Sequence, residues 1–115
     1  MWFVMSDIVI TQSDKGKTFN VIEGDSISIQ LSENPTTGYR WELQAFNEEV
    51  IELRDSHFSI APETCIGGGG KRTFNFKTRA LGTSKIYLRL RREWEPEKRV
   101  IDQFEVIIQA TKKGD

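Results

Sequence analysis

The chain has one cysteine, Cys65, and one histidine, His57, in 115 residues. A single cysteine excludes an intramolecular disulfide, so the fold must be held by its core, and this fits a reducing compartment. With one histidine, no cysteine pair and no carboxylate cluster at ligand spacing, no metal and no cofactor is expected. Cys65 and His57 lack a third group to orient them, so no catalytic residue is expected and the protein does not read as an enzyme. Long apolar runs are also missing. Met1-Trp2-Phe3-Val4-Met5 stops at Ser6-Asp7, too short for a secretory leader or for the roughly 20 apolar residues of a membrane helix. The expectation is a cytoplasmic protein with no membrane partner. Asn34-Pro35-Thr36 is not a glycosylation site, because its middle residue is proline.

No segment carries a sustained helical period, and no repeat or linker interrupts the chain. At this length, 1–115 reads as one domain. The period is 2 almost throughout. Asp7–Thr11 and Thr18–Glu23 read as strands around the turn Ser13-Asp14-Lys15-Gly16. Asp25–Leu31 places Ile27, Ile29 and Leu31 on one face, and Tyr39–Phe46 does the same with Tyr39, Trp41 and Leu43. Asn47–Arg54 suits either a helical turn or a strand. Phe58 and Ile60 mark a short strand ended by Pro62. Lys71–Thr78 faces Phe74 and Phe76 inward, Ala80-Leu81-Gly82-Thr83 is a turn, and Ser84–Arg91 and Arg99–Ala110 complete the set. Seven to eight short strands at this spacing predict an all-β, immunoglobulin-like sandwich. Trp41 and the aliphatic and phenylalanine side chains would form its core, each large one worth about 1.5–3 kcal/mol when fully buried.

The formal charge is −1, yet residues 1–57 hold 4 basic and 10 acidic side chains and residues 58–115 hold 12 and 7. Two strand sets of opposite sign laid side by side would explain this. A polyanion site built on Arg89, Arg91, Arg92, Lys98 and Arg99 is the sharper alternative. Glu93, Glu95 and Glu97 interleave with those cations and argue against it, so no nucleic acid partner is expected.

Three segments exceed what strand connections require. Asn34-Pro35-Thr36-Thr37-Gly38-Tyr39 is longer than a hairpin turn and carries two adjacent threonines that a turn does not need. Gly67-Gly68-Gly69-Gly70 precedes Lys71, but the phosphate-loop pattern fails. Cys65 stands where it needs a first glycine, and Arg72 where it needs Ser or Thr. Glycines here let backbone N–H and C=O groups approach a partner as an added strand does. Arg92-Glu93-Trp94 places a tryptophan among charges, and Trp and Arg are frequent interface anchors. In an immunoglobulin-like sandwich the three connections that hold these segments share one end.

Together these segments resemble the chagasin family, protein inhibitors of papain-like cysteine peptidases. Asn34–Tyr39 matches that family's first loop motif without a change. Gly67–Gly70 matches the Gly-x-Gly of its second loop. Arg92-Glu93-Trp94 matches its Arg-Pro-Trp, with Glu93 in place of proline. The resemblance implies a reversible, tight-binding inhibitor, a monomer whose three loops enter the active-site cleft of a papain-like peptidase, cathepsin L-like or similar. Thr36, Thr37 and Gly38 would cover the catalytic pair, the glycine loop would run along the cleft backbone, and Trp94, supported by Arg92, would pack on the far side. Glu93 would loosen the third loop by about 0.4–1 kcal/mol of backbone entropy. The alternative is a module of the same fold that binds a non-peptidase protein.

Overall fold

The computed structural model describes residues 7–60, 69–92, 94 and 100–112. Gly67, Gly68, Cys65, Glu93, Lys98 and Arg99 lie outside these described residues. The strands are β1 (Asp7–Thr11), β2 (Thr18–Ile22), β3 (Ser26–Glu33), β4 (Tyr39–Ala45), β5 (Ile51–Ile60), β6 (Gly70–Thr78), β7 (Gly82–Arg92) and β8 (Asp102–Thr111). They form two four-stranded sheets, ordered β1-β3-β6-β5 and β2-β8-β7-β4. The immunoglobulin-like sandwich expected from the alternation is therefore the observed fold.

Inward positions of both sheets close over one core. Ile27, Ile29 and Leu31 of β3 meet Phe74 and Phe76 of β6, and Trp41, Ile86, Leu88, Phe104, Val106 and Ile108 cover them from the opposite sheet. All are buried, Trp41 included. Phe46 adds an edge-on contact with Phe76, their centroids 5.6 Å apart.

The pairing differs from the simplest reading in two places. β1 and β2 do not pair across Ser13–Gly16. A 3₁₀ turn at Gln12–Asp14 passes the chain from one sheet to the other, and each strand then adds in parallel, β1 to β3 and β2 to β8. The ambiguous Asn47–Arg54 divides: residues 48–50 form a turn, with the Val50 and Ile51 amides bonded to the Asn47 carbonyl, while Ile51–Arg54 joins the short Phe58–Ile60 strand in the single ten-residue β5. Its register shifts between Leu53 and Asp55, so Leu53 faces Phe76 while Ser56, not Asp55, faces Phe74. A bulge inserts one residue and flips the alternation, which made one strand look like two.

The charge asymmetry is only partly one of paired strands: base-rich β6 and β7 pair with β3 and β4, which carry one carboxylate each, Glu33 and Glu42. Arg89 and Arg91 both bond the carboxylate of Glu42, at 3.1 and 3.3 Å. Two cations of the polyanion alternative are thereby engaged within the sheet.

β3, β5 and β7 run toward one pole and β4, β6 and β8 leave it. The strand ends that flank the three connecting segments gather there. Asp7 and Thr111, the outer ends of β1 and β8, lie at the opposite pole.

Candidate functional site

The Asn34–Tyr39 segment is not a hairpin turn, because β3 and β4 belong to different sheets. It arches over the end of the sandwich, and its shape follows from four residues. Asn34 is extended (φ −116°, ψ 105°), as the residue before a proline prefers to be. Its side-chain Oδ1 accepts from the Thr36 amide at 3.0 Å and from the Thr36 hydroxyl at 2.7 Å. Pro35 opens a 3₁₀ turn through Thr37, where its missing N–H costs nothing. Thr37 returns its hydroxyl to the Asn34 carbonyl at 2.8 Å. Gly38 ends the turn in the left-handed region at φ +81°, its N–H bonded to the Pro35 carbonyl at 3.1 Å. The loop is thus ordered by its own bonds, while Pro35, Thr36 and Thr37 stay exposed.

The third segment meets the first directly. Arg92, the last residue of β7, stands opposite Tyr39 in the ladder. Its Nε donates to the Thr37 carbonyl at 3.0 Å, and its guanidinium carbon lies 4.3 Å from the Tyr39 ring centroid and 5.9 Å from that of Trp94. Trp94 is 71% exposed. Its ring nevertheless rests against Gly38, where an added Cβ would overlap the indole. Gly38 therefore has two reasons to lack a side chain, its backbone angle and the ring beside it. Pro35, Thr36, Thr37, Gly38, Arg40 and Trp94 line one open groove along the pole.

The glycine segment reaches the same pole. Gly70 starts β6, paired with Glu33 on one side and Ile60 on the other. A side chain there would strike the Ser59 carbonyl and the Phe58 ring. Gly69 precedes it among the described residues. The structure thus brings together Asn34, Pro35, Thr36, Thr37, Gly38, Tyr39, Gly69, Gly70, Arg92 and Trp94 at one end.

Glu33 and Arg72 were not singled out from the sequence, and the structure places them just beneath this edge. The Arg72 Nη2 lies 2.8 Å from Glu33 Oε2, with the carboxylate side chain only 2% exposed. The signal was present in the alternation. Glu33 continues the inward series Ile27, Ile29, Leu31, and Arg72 continues Phe76, Phe74. Among the described residues no group of three side chains could hold a metal ion.

Known proteins resemble this chain over most of its length. The model of a family described as "Chagasin family peptidase inhibitor I42" matches residues 20–108. Chagasin from Trypanosoma cruzi is 29% identical over 107 residues, covering 88% of this chain and 96% of that protein. Amoebiasin-1 from Entamoeba histolytica is 33% identical over 90 residues, covering 76% and 84%. The crystal structure of EhICP2, a cysteine protease inhibitor from Entamoeba histolytica, superposes with a TM-score of 0.83 at 25% identity, over 93% of this chain and 97% of that one.

Proposed function

We propose, from the premise that this chain belongs to the chagasin family of peptidase inhibitors, that it blocks papain-like cysteine peptidases by entering the active-site cleft with the edge just described. The chain is an inhibitor and not an enzyme. Thr36, Thr37 and Gly38 are the plug, Gly69, Gly70 and the glycines before them follow the cleft backbone, and Trp94 grips the far wall. A cathepsin L-like peptidase is the partner of choice, met by one monomer.

The observation that carries this reading is the contact between the first and third loops in the free protein. Arg92 bonds the Thr37 carbonyl, and Trp94 lies on Gly38. Arg92 and Trp94 are thereby already joined to the first loop, which lowers the ordering entropy these residues lose on binding. The same bonds support the expectation that the loop is not cut. Attack needs a carbonyl held in line with the nucleophile. The carbonyls of Asn34, Pro35 and Thr37 are each engaged by a hydrogen bond within the edge. A loop that cannot extend cannot offer them.

Titration of papain or a cathepsin L-like peptidase with purified protein tests the reading. Stoichiometric, reversible inhibition with the inhibitor recovered intact is the expected result. Absence of inhibition across such a panel at micromolar protein would refute it and favour a non-peptidase partner.

A further inference from the structure

The two stems of the Asn34–Tyr39 arch stand on different sheets, so no backbone ladder holds them at a fixed distance. Among the described residues, two hydrogen bonds donated by Trp41 of β4 bridge the gap to β3. Its indole Nε1 donates to the Ser32 carbonyl at 2.9 Å, and its backbone N–H donates to the Glu33 carboxylate at 2.8 Å. The second bond depends on where the Glu33 side chain points, and Arg72 sets that. Its Nη2 and Nε reach Glu33 Oε2 at 2.8 and 3.2 Å. Arg72 is held in turn against Phe58, its guanidinium carbon 5.5 Å from the ring centroid. The same ring occupies the space a side chain at Gly70 would take.

One carboxylate therefore connects β3 and β6 of one sheet to β4 of the other, with Phe58 of β5 packed behind. These are the strand ends from which the first loop and the glycine segment spring. Stability alone does not explain the pair. Apolar side chains of similar volume usually do as well as a buried ion pair, and the alternation on both strands already supplies apolar residues. A forked guanidinium–carboxylate contact differs from apolar packing in fixing direction as well as distance.

We infer that Glu33 and Arg72 are positioning residues for peptidase binding. They set the width of the arch and hold it in register with Gly70, although neither belongs to the inhibitory loops. The affinity part of this inference rests on the proposed inhibition of a cysteine peptidase, while its structural part does not.

The test is the double variant Glu33→Leu/Arg72→Met, which removes both charges together and leaves no buried ion unpaired. Three quantities are measured: melting temperature, backbone NMR order parameters of Thr36, Thr37 and Gly38 in the free protein, and the inhibition constant for papain. The expected outcome is a retained fold with order parameters falling from about 0.85 toward 0.6. The inhibition constant should rise about tenfold or more, mostly through slower association. Unchanged order parameters overturn the inference, including when inhibition weakens only in step with melting. Should the double variant fail to fold, Arg72→Lys keeps the charge but not the fork, and the same readings decide. If wild-type protein inhibits no peptidase, the proposed function fails and the order parameters still judge this pair.

Discussion

The Trp94 indole lies against the bare Cα of Gly38, so the most exposed aromatic ring of the edge is seated on the narrowest residue of the plug. The glycine makes room for the ring, and the ring covers the left-handed end of the turn. Their effects on binding should be coupled.

Gly38→Ala should raise the inhibition constant by forcing the ring off its seat and by placing alanine at φ +81°, a strain of about 1–2 kcal/mol. Trp94→Ala should also weaken inhibition. The double variant should cost less than the sum, with a coupling of about 0.5–3 kcal/mol in a double-mutant cycle. Additive losses would mean that the two act separately.

Trp94→Ala alone should cost about 2 kcal/mol or more of binding, as expected of an anchor. Its ring is largely exposed, so unfolding free energy should move by no more than about 0.5 kcal/mol. Urea unfolding beside inhibition assays separates the two. An unchanged inhibition constant with a large loss of stability would assign Trp94 to the fold.

Asn34→Ala removes the oxygen that accepts both the Thr36 amide and the Thr36 hydroxyl. Loss of such a cap costs about 0.5–2 kcal/mol. The loosened turn should bind more weakly, and prolonged incubation with peptidase should begin to cleave near Thr36–Gly38. Mass spectrometry of the incubated inhibitor reads this directly, and an intact variant would show that the remaining bonds suffice.

Asp14 accepts the Thr11 backbone N–H at 2.9 Å and the Lys17 ammonium at 3.2 Å. The backbone bond first, and Lys17 second, hold its carboxyl below the usual carboxylate range. A lowered value in the folded state gives a stabilising contribution that is present above the unfolded carboxylate value and lost as pH falls through the folded one. Urea midpoints measured downward from about pH 5 should therefore fall less steeply for Asp14→Asn than for wild type. Superimposed curves would place the acid sensitivity elsewhere.

The sandwich and its loop pole were legible in the sequence because alternation and loop composition are local signals. The first loop was legible in detail, since Asn34, Pro35 and Gly38 each have one strong conformational preference and all three are satisfied. β5 was not, because one bulged residue reverses its parity. The parallel addition of β1 and β2 was not either, since nothing within a strand names a distant partner. The Glu33–Arg72 pair fell between these cases. Parity pointed both charges inward, but only the register, which sets Arg72 opposite Leu31 and Gly70 opposite Glu33, brings them within reach.

The positions of Asp7 and Thr111 have a practical consequence. Each lies at the pole away from the loops, as the parallel register of β1 and the descent of β8 require. Cargo attached by either route, whether a fluorophore, a resin or a second protein, hangs from the handle of the tool and leaves its blade clear. Attachment at the exposed Asp7 and Thr111 side chains themselves therefore leaves the described edge, Pro35 to Gly38 with Trp94, facing away from the support.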